Sequence, residues 1–195
     1  MIRRPPRSTR KESSAASHVY KRQYIMRHGK TDWNEQHKLQ GRTDIPLNEN
    51  GIAMAKKAAE EYRDIHLDIC YCSPLKRAEQ TARIVLSGRK TQVPVVIDDR
   101  LIEMGFGEYE GVQNSFNISD CNVNVLFRNP DRYIADKGAE SLDELFERTG
   151  QFLDEVIQPE LAKGRDILIV GHGAMNSSII SVSYTHLRAH ETGRN

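Results

Sequence analysis

Apolar positions along the chain fall into short continuous runs separated by stretches of helical period. Tyr24, Ile25 and Met26 form an apolar run that breaks abruptly at Arg27, His28 and Gly29, as a buried strand of a parallel sheet does when it ends in a turn. Residues 32–48 are polar, carry Gly41 and Pro46, and read as a loop. Asn48 caps a predicted helix over 49–62, with Ile52, Ala55, Ala59 and Tyr62 on one face. Residues 68–73 read as a second strand, and Pro74 opens a helix that runs to about 86 and is closed by Gly88. Leu75, Ala78, Ala82 and Val85 make its buried stripe. Residues 93–97 read as a third strand, placed at an edge by Pro94. Residues 112–138 show no period. A capping box at Ser141 and Glu144 then starts a helix to about 158, with a stripe of Leu142, Leu145, Phe146, Thr149, Phe152, Leu153 and Val156. The clearest buried strand, 166–170, ends in Gly171, His172 and Gly173, followed by a helical start.

Strands alternating with helices predict an α/β fold, a three-layer α/β/α arrangement around a mostly parallel sheet. In such folds ligands gather beyond the carboxyl ends of the strands. Three predicted strand ends carry Arg27 with His28, Arg77 just after Ser73 and Pro74, and His172, while Glu103 sits on the acidic, glycine-bearing loop 101–111. A cation such as Arg77 in a first helical turn opposes the helix dipole, so an anion is expected beside it. A neutral imidazole next to a guanidinium suits attack on phosphorus, and the set as a whole suits phosphoryl transfer. Met104 and Phe106 are expected to surround the Glu103 carboxyl and keep a proton on it near neutrality, with Glu108 or Glu110 as the alternative acid. Two histidines and a carboxylate can also hold a metal, but Arg27 and Arg77 would repel it, so no metal is expected. There is no Walker or dinucleotide-binding loop. Lys30, Arg42 and Glu140 read as surface or rim residues.

Composition refines this picture. A chain of 195 residues, 38% hydrophobic and 28% charged, is that of one ordinary globular domain. No apolar run nears the ~20 residues that span a bilayer, so no membrane is expected. The net charge of +1 hides an asymmetry: residues 1–22 balance to +6 and 183–195 to +1, leaving the body at −6. An acidic body argues against nucleic acid and makes a local cluster of Arg and His an anion site. Cys70, Cys72 and Cys121 lack zinc-ligand spacing, and Cys70 and Cys72 share one face of a strand, so a reducing cytoplasm is the simplest home. Residues 1–22 are expected to be disordered. Both ends, 1–22 and 183–195, resemble translated sequencing-adapter sequence and are set aside as non-native, leaving a domain over 23–182. The oligomeric state is not legible.

Collinear motifs carry a resemblance across residues 23–180. They are Arg27-His28-Gly29-Lys30-Thr31 with Trp33-Asn34, then Gly41-Arg42-Thr43-Asp44-Ile45-Pro46-Leu47-Asn48-Glu49-Asn50-Gly51, then Ser73-Pro74-Leu75-Lys76-Arg77-Ala78-Glu79-Gln80-Thr81-Ala82. They continue with Glu103-Met104-Gly105-Phe106-Gly107-Glu108-Tyr109-Glu110-Gly111, Ala139-Glu140-Ser141 and Gly171-His172-Gly173. In these the chain resembles the histidine phosphatase superfamily, with its phosphoglycerate-mutase-like fold. The resemblance implies a cofactor-free phosphatase acting on a small phosphomonoester. It makes His28 the phosphorylated nucleophile and Glu103 the acid and then the base. Arg27, Arg77 and His172 become the phosphate pocket, and Asn34, Thr31 and Gly173 join them as substrate-binding residues. The phosphatase branch is favoured by the short run from Glu103 to Ser141, since a mutase encloses its substrate with longer insertions; a phosphoglycerate-type mutase or an impaired phospholigand-binding relative is the alternative. The family continues past the second histidine with a further helix and strand, so the fold is expected to be truncated at its C-terminus.

Overall fold

The apolar run ending at Gly171 becomes the centre of the sheet. In the computed structural model, which describes residues 22–115 and 122–192 with side chains to 183, β4 (Ile167–Gly171) is buried at every position. It pairs in parallel with β1 (Gln23–Arg27) on one side and β2 (Ile69–Cys72) on the other, and β2 pairs in parallel with β3 (Val95–Ile97). The order is therefore β1-β4-β2-β3. Expectations for residues 1–21, Cys121 and 193–195 lie outside the described residues.

Because successive strand residues face opposite sides, the sheet builds two cores. Ile69, Tyr71, Ile167 and Ile169 pack with Phe152, Met175 and Ile179 on one face. Cys70, Cys72, Leu168 and Val170 pack with Ala78 and Ala82 on the other. The helices divide accordingly. α2 (Glu49–Glu61), capped by Asn48, packs with α3 (Lys76–Leu86); α5 (Leu142–Phe152), started by the Ser141 capping box, packs with α7 (Gly173–Thr192). This is the three-layer α/β/α fold. Cys70 and Cys72 sit together in one core as unpaired thiols, and burial pushes Cys70 up to about 12.

Several elements differ from expectation. β1 is an edge strand, half-buried, rather than an interior one. α3 begins at Lys76, with Pro74 outside the helix, because Leu75 is still extended at the N-cap. Tyr62 and Phe146 are 41% and 39% exposed and so fall off their expected stripes. After α5 the backbone widens into one π turn, Leu153–Ile157, before α6 (Gln158–Ala162). The expected loop 32–48 opens with a single helical turn, α1 (Asp32–Glu35), and the unpatterned stretch 112–138 contains α4 (Val123–Arg128). No helix among the described residues is long and apolar enough to cross a membrane.

Candidate active site

Beyond the carboxyl ends of β1, β4 and β2 lies a cavity of about 450 Å³. Arg27, His28, Arg77, Glu103 and Gly173 line it, together with Asn34, His37, Lys38, Gln40, Phe106 and Phe127. His28 continues the β1–β4 pairing, its backbone N–H donating to the Gly171 carbonyl at 3.0 Å. The turn after it is pinned on both flanks. Gly29 N–H donates to Thr81 Oγ1 at 3.1 Å, and the Lys30 carbonyl accepts from Asn48 N–H at 3.0 Å. Gly29 is required there, since a Cβ would stand 2.7 Å from the Gly51 carbonyl oxygen.

The His28 ring is buried, and its Nδ1 lies 2.6 Å from the Gly29 carbonyl. A carbonyl only accepts, so Nδ1 carries the hydrogen and Nε2 keeps its lone pair. Burial lowers this histidine to about 3, reinforced by the charges of Arg77 and Arg27 against the opposing Gly29 hydrogen bond. The imidazole is therefore neutral at any ordinary pH. The His172 ring lies 5.1 Å from it, centroid to centroid, fully buried, with Nε2 2.6 Å from Ser73 Oγ and no partner for Nδ1 among the described residues. Burial, then Arg77 and His28, push His172 far below the usual histidine range.

Arg77 is 1% exposed. Its two terminal nitrogens donate to the Thr43 and Gly41 carbonyls at 2.8 and 2.7 Å, and Nε has no protein partner among the described residues. Two of its five N–H groups are thereby used within the protein. Burial lowers Arg77 to about 10, partly offset by Glu103, so it stays cationic. The Glu103 carboxyl lies in a more polar setting than Met104 and Phe106 led one to expect. Oε1 accepts from the N–H groups of Met104 and Met175 at 2.9 and 3.0 Å, and Oε2 from Gly173 N–H at 2.9 Å. Two of those donors are free amides of the first turn of α7, so Glu103 satisfies that helix end from a distant loop.

A sequence profile of the histidine phosphatase superfamily (branch 1) matches residues 23–191. The chain belongs to that family. It is 36% identical over 157 residues to an uncharacterized phosphatase, PhoE, of Bacillus subtilis, covering 80% of this chain and 74% of that one. It is 32% identical to a 2,3-bisphosphoglycerate-dependent phosphoglycerate mutase of Cytophaga hutchinsonii, covering 76% and 70%. Among solved structures it resembles the alpha-ribazole phosphatase of Shigella flexneri, with a TM-score of 0.69 and 29% identity over 82% of this chain and 77% of that one.

In this histidine phosphatase fold the expected site residues do not all stand alike. Arg27, His28, Asn34, Arg77, Glu103 and Gly173 line the cavity, and His172 lies against His28. Thr31 is fully buried and does not line it. Its side chain accepts from Asn34 N–H while Asn34 Oδ1 accepts from Thr31 N–H, a capping box for α1, and its hydroxyl donates to Gln40 Oε1 at 2.9 Å. Glu108 is exposed and outside the cavity, whereas Glu110 accepts from the N–H groups of Arg42 and Thr43 and so holds the loop whose carbonyls receive Arg77. Glu140 is no rim residue: it is 8% exposed and bonded to Arg42 and Arg148. Ser73 and Gln40 were not singled out from the sequence. Ser73 opens one of the family-like motifs, but its hydrogen bond to His172 spans 99 positions and leaves no local signal. Among the described residues no three His, Cys, Asp or Glu side chains converge as metal ligands.

Proposed function

We propose that this protein hydrolyses small phosphomonoesters through a phosphohistidine formed on His28, without a metal ion. The observation that carries the reading is the state of His28: a neutral ring with its hydrogen committed to the Gly29 carbonyl and a free Nε2, in a cavity lined by two guanidinium groups and a carboxyl. Nε2 forms a bond to phosphorus as the ester P–O bond breaks, and Glu103 gives its proton to the departing oxygen. Glu103 then removes a proton from water, which attacks the phosphohistidine. Inorganic phosphate leaves, and His28 returns to its neutral form. Arg27, Arg77 and His172 hold the equatorial oxygens, where charge spreads in the transition state; such donors contribute about 10²-fold to 10³-fold each. Asn34 and Gly173 contact substrate, and Thr31 serves by fixing Asn34 and Gln40.

Hydrolysis is favoured over mutase action by the short segment between Glu103 and Ser141, since a mutase must enclose its substrate while the phosphate is retained. Every reactive position is filled, which favours an enzyme over a phospholigand-binding relative. The test is a panel of phosphomonoesters assayed with and without a chelator. Turnover should persist in chelator. His28→Ala should lower it by at least about 10³-fold with the fold intact, and should abolish acid-labile labelling of the protein by substrate. Complete dependence on a divalent cation, or a tenth of the rate surviving in His28→Ala, would place the chemistry elsewhere.

A further inference from the structure

Glu103 reaches the cavity from a segment that belongs to neither strand nor helix, and a residue on such a segment is ordinarily poorly held. Here the segment is gripped from outside the site by one buried carboxylate and two arginines. Glu140 Oε1 accepts from Arg148 Nε at 2.7 Å and Arg42 Nη2 at 2.9 Å, and Oε2 accepts from Arg148 Nη2 at 3.0 Å and Gly105 N–H at 3.2 Å. Glu140 N–H in turn donates to the Gly105 carbonyl at 2.8 Å. Two further arginine nitrogens face the backbone before Gly105. Arg148 Nη1 donates to the carbonyls of Arg100 and Ile102, at 2.5 and 2.8 Å, and Arg42 Nε donates to the Glu103 carbonyl at 3.4 Å. Three carbonyls and one amide between positions 100 and 105 are thus fixed by side chains that do not belong to the segment.

We infer that Glu140, Arg148 and Arg42 form a clamp that positions the general acid, setting where the Glu103 carboxyl stands relative to the leaving oxygen. The inference rests on the proposed role of Glu103. Neither Glu140 nor Arg148 lines the cavity, so they are positioning residues and touch no substrate. Arginine is needed at 148 because only its planar fork can hold both carboxylate oxygens and two carbonyls at once; lysine keeps the charge and loses that geometry. Glu140 and Arg148 are also well shielded, with side chains 6% and 15% exposed, so solvent cannot easily replace the contacts.

The clamp has a signature that a purely structural role lacks. Misplacing the acid slows expulsion of a poor leaving group and leaves a good one almost untouched, and kcat/KM reports only the phosphorylation step. Arg148→Lys should therefore lower kcat/KM for glycerol 2-phosphate by about 10-fold to 100-fold, and for p-nitrophenyl phosphate by less than about threefold, in a protein that melts at a lower temperature but remains fully folded at the assay temperature. Glu103→Gln, measured in parallel, should show the same selectivity more strongly. If Glu103→Gln is selective and Arg148→Lys slows both substrates alike or neither, the clamp is refuted and the acid assignment stands. If Glu103→Gln shows no selectivity, both fall. Should Arg148→Lys fail to fold, Arg42→Lys carries the same test with the same overturning outcomes, since Arg42 is 47% exposed and its Nε meets the Glu103 carbonyl directly.

Discussion

The His28 ring has its hydrogen fixed by a backbone carbonyl, whereas the second ring, His172, is held by a side-chain hydroxyl. Among the described residues Ser73 Oγ is the one partner of His172 Nε2, and it also accepts from Leu75 N–H at 3.3 Å, which orients it. Ser73→Ala would leave a fully buried ring nitrogen without a partner, a loss of about 1–1.5 kcal/mol. The expected result is a fall in kcat/KM of about tenfold, with a circular dichroism spectrum like that of the parent. An unchanged kcat/KM would mean that packing alone orients His172. At this scale the sequence was informative wherever chemistry coincided with a strand end. Arg27, His28 and His172 announce themselves because an apolar run stops at a titratable residue. Ser73 and Arg148 act through partners far along the chain, and Gln40 through Thr31 nine positions before it, so nothing in their immediate neighbours distinguishes them from ordinary polar positions. Glu140 was misjudged as rim for the same reason, since its burial is created by two arginines from other segments.

Among elements, the turn after His28 and the first turn of α2 approach each other backbone to backbone. Gly51 donates its N–H to Asn48 Oδ1 at 2.9 Å, and a Cβ on it would stand 2.1 Å from the Lys30 carbonyl oxygen and 2.8 Å from Lys30 N. Both are backbone atoms of the turn that follows His28, so neither can swing aside. Gly51→Ala is expected to cost about 1–3 kcal/mol, the range for overpacked sites, and to depress activity well below the melting temperature. Urea unfolding measures the first and phosphatase assays the second; a midpoint equal to the parent's would show that α2 can shift freely. Long periodic elements such as α5 were legible because a capping box and an apolar stripe agree. The short α1 and α4 were not, because one or two turns show too little periodicity to read. The edge position of β1 was also hidden, since Tyr24, Ile25 and Met26 are as apolar as an interior strand.

For the whole molecule, the two buried histidines couple stability to pH. Both are held neutral in the fold, His28 down to about 3, whereas in an unfolded chain each takes up a proton near 6.5. Below that value the unfolded state binds protons that the folded state refuses, so stability falls as pH falls, and the window extends from about 6.5 down to about 3 for His28. Between pH 7 and pH 5 each ring should account for a loss on the order of 1–2 kcal/mol. Denaturant midpoints at the two pH values check this, and His28→Ala should flatten the dependence; a slope unaltered by that substitution would mean that His28 titrates in the fold much as it does outside it. The sheet order has a different consequence, for how the protein comes into being. Among the described residues β1 pairs only with β4, so its partner is missing until residues 167–171 have been synthesised. The strand that leads into His28 closes the largest loop in the sheet, a slow step set by non-local contacts. On the ribosome, α2, β2, α3 and β3 can assemble first, and His28 meets His172 only as the last strand joins.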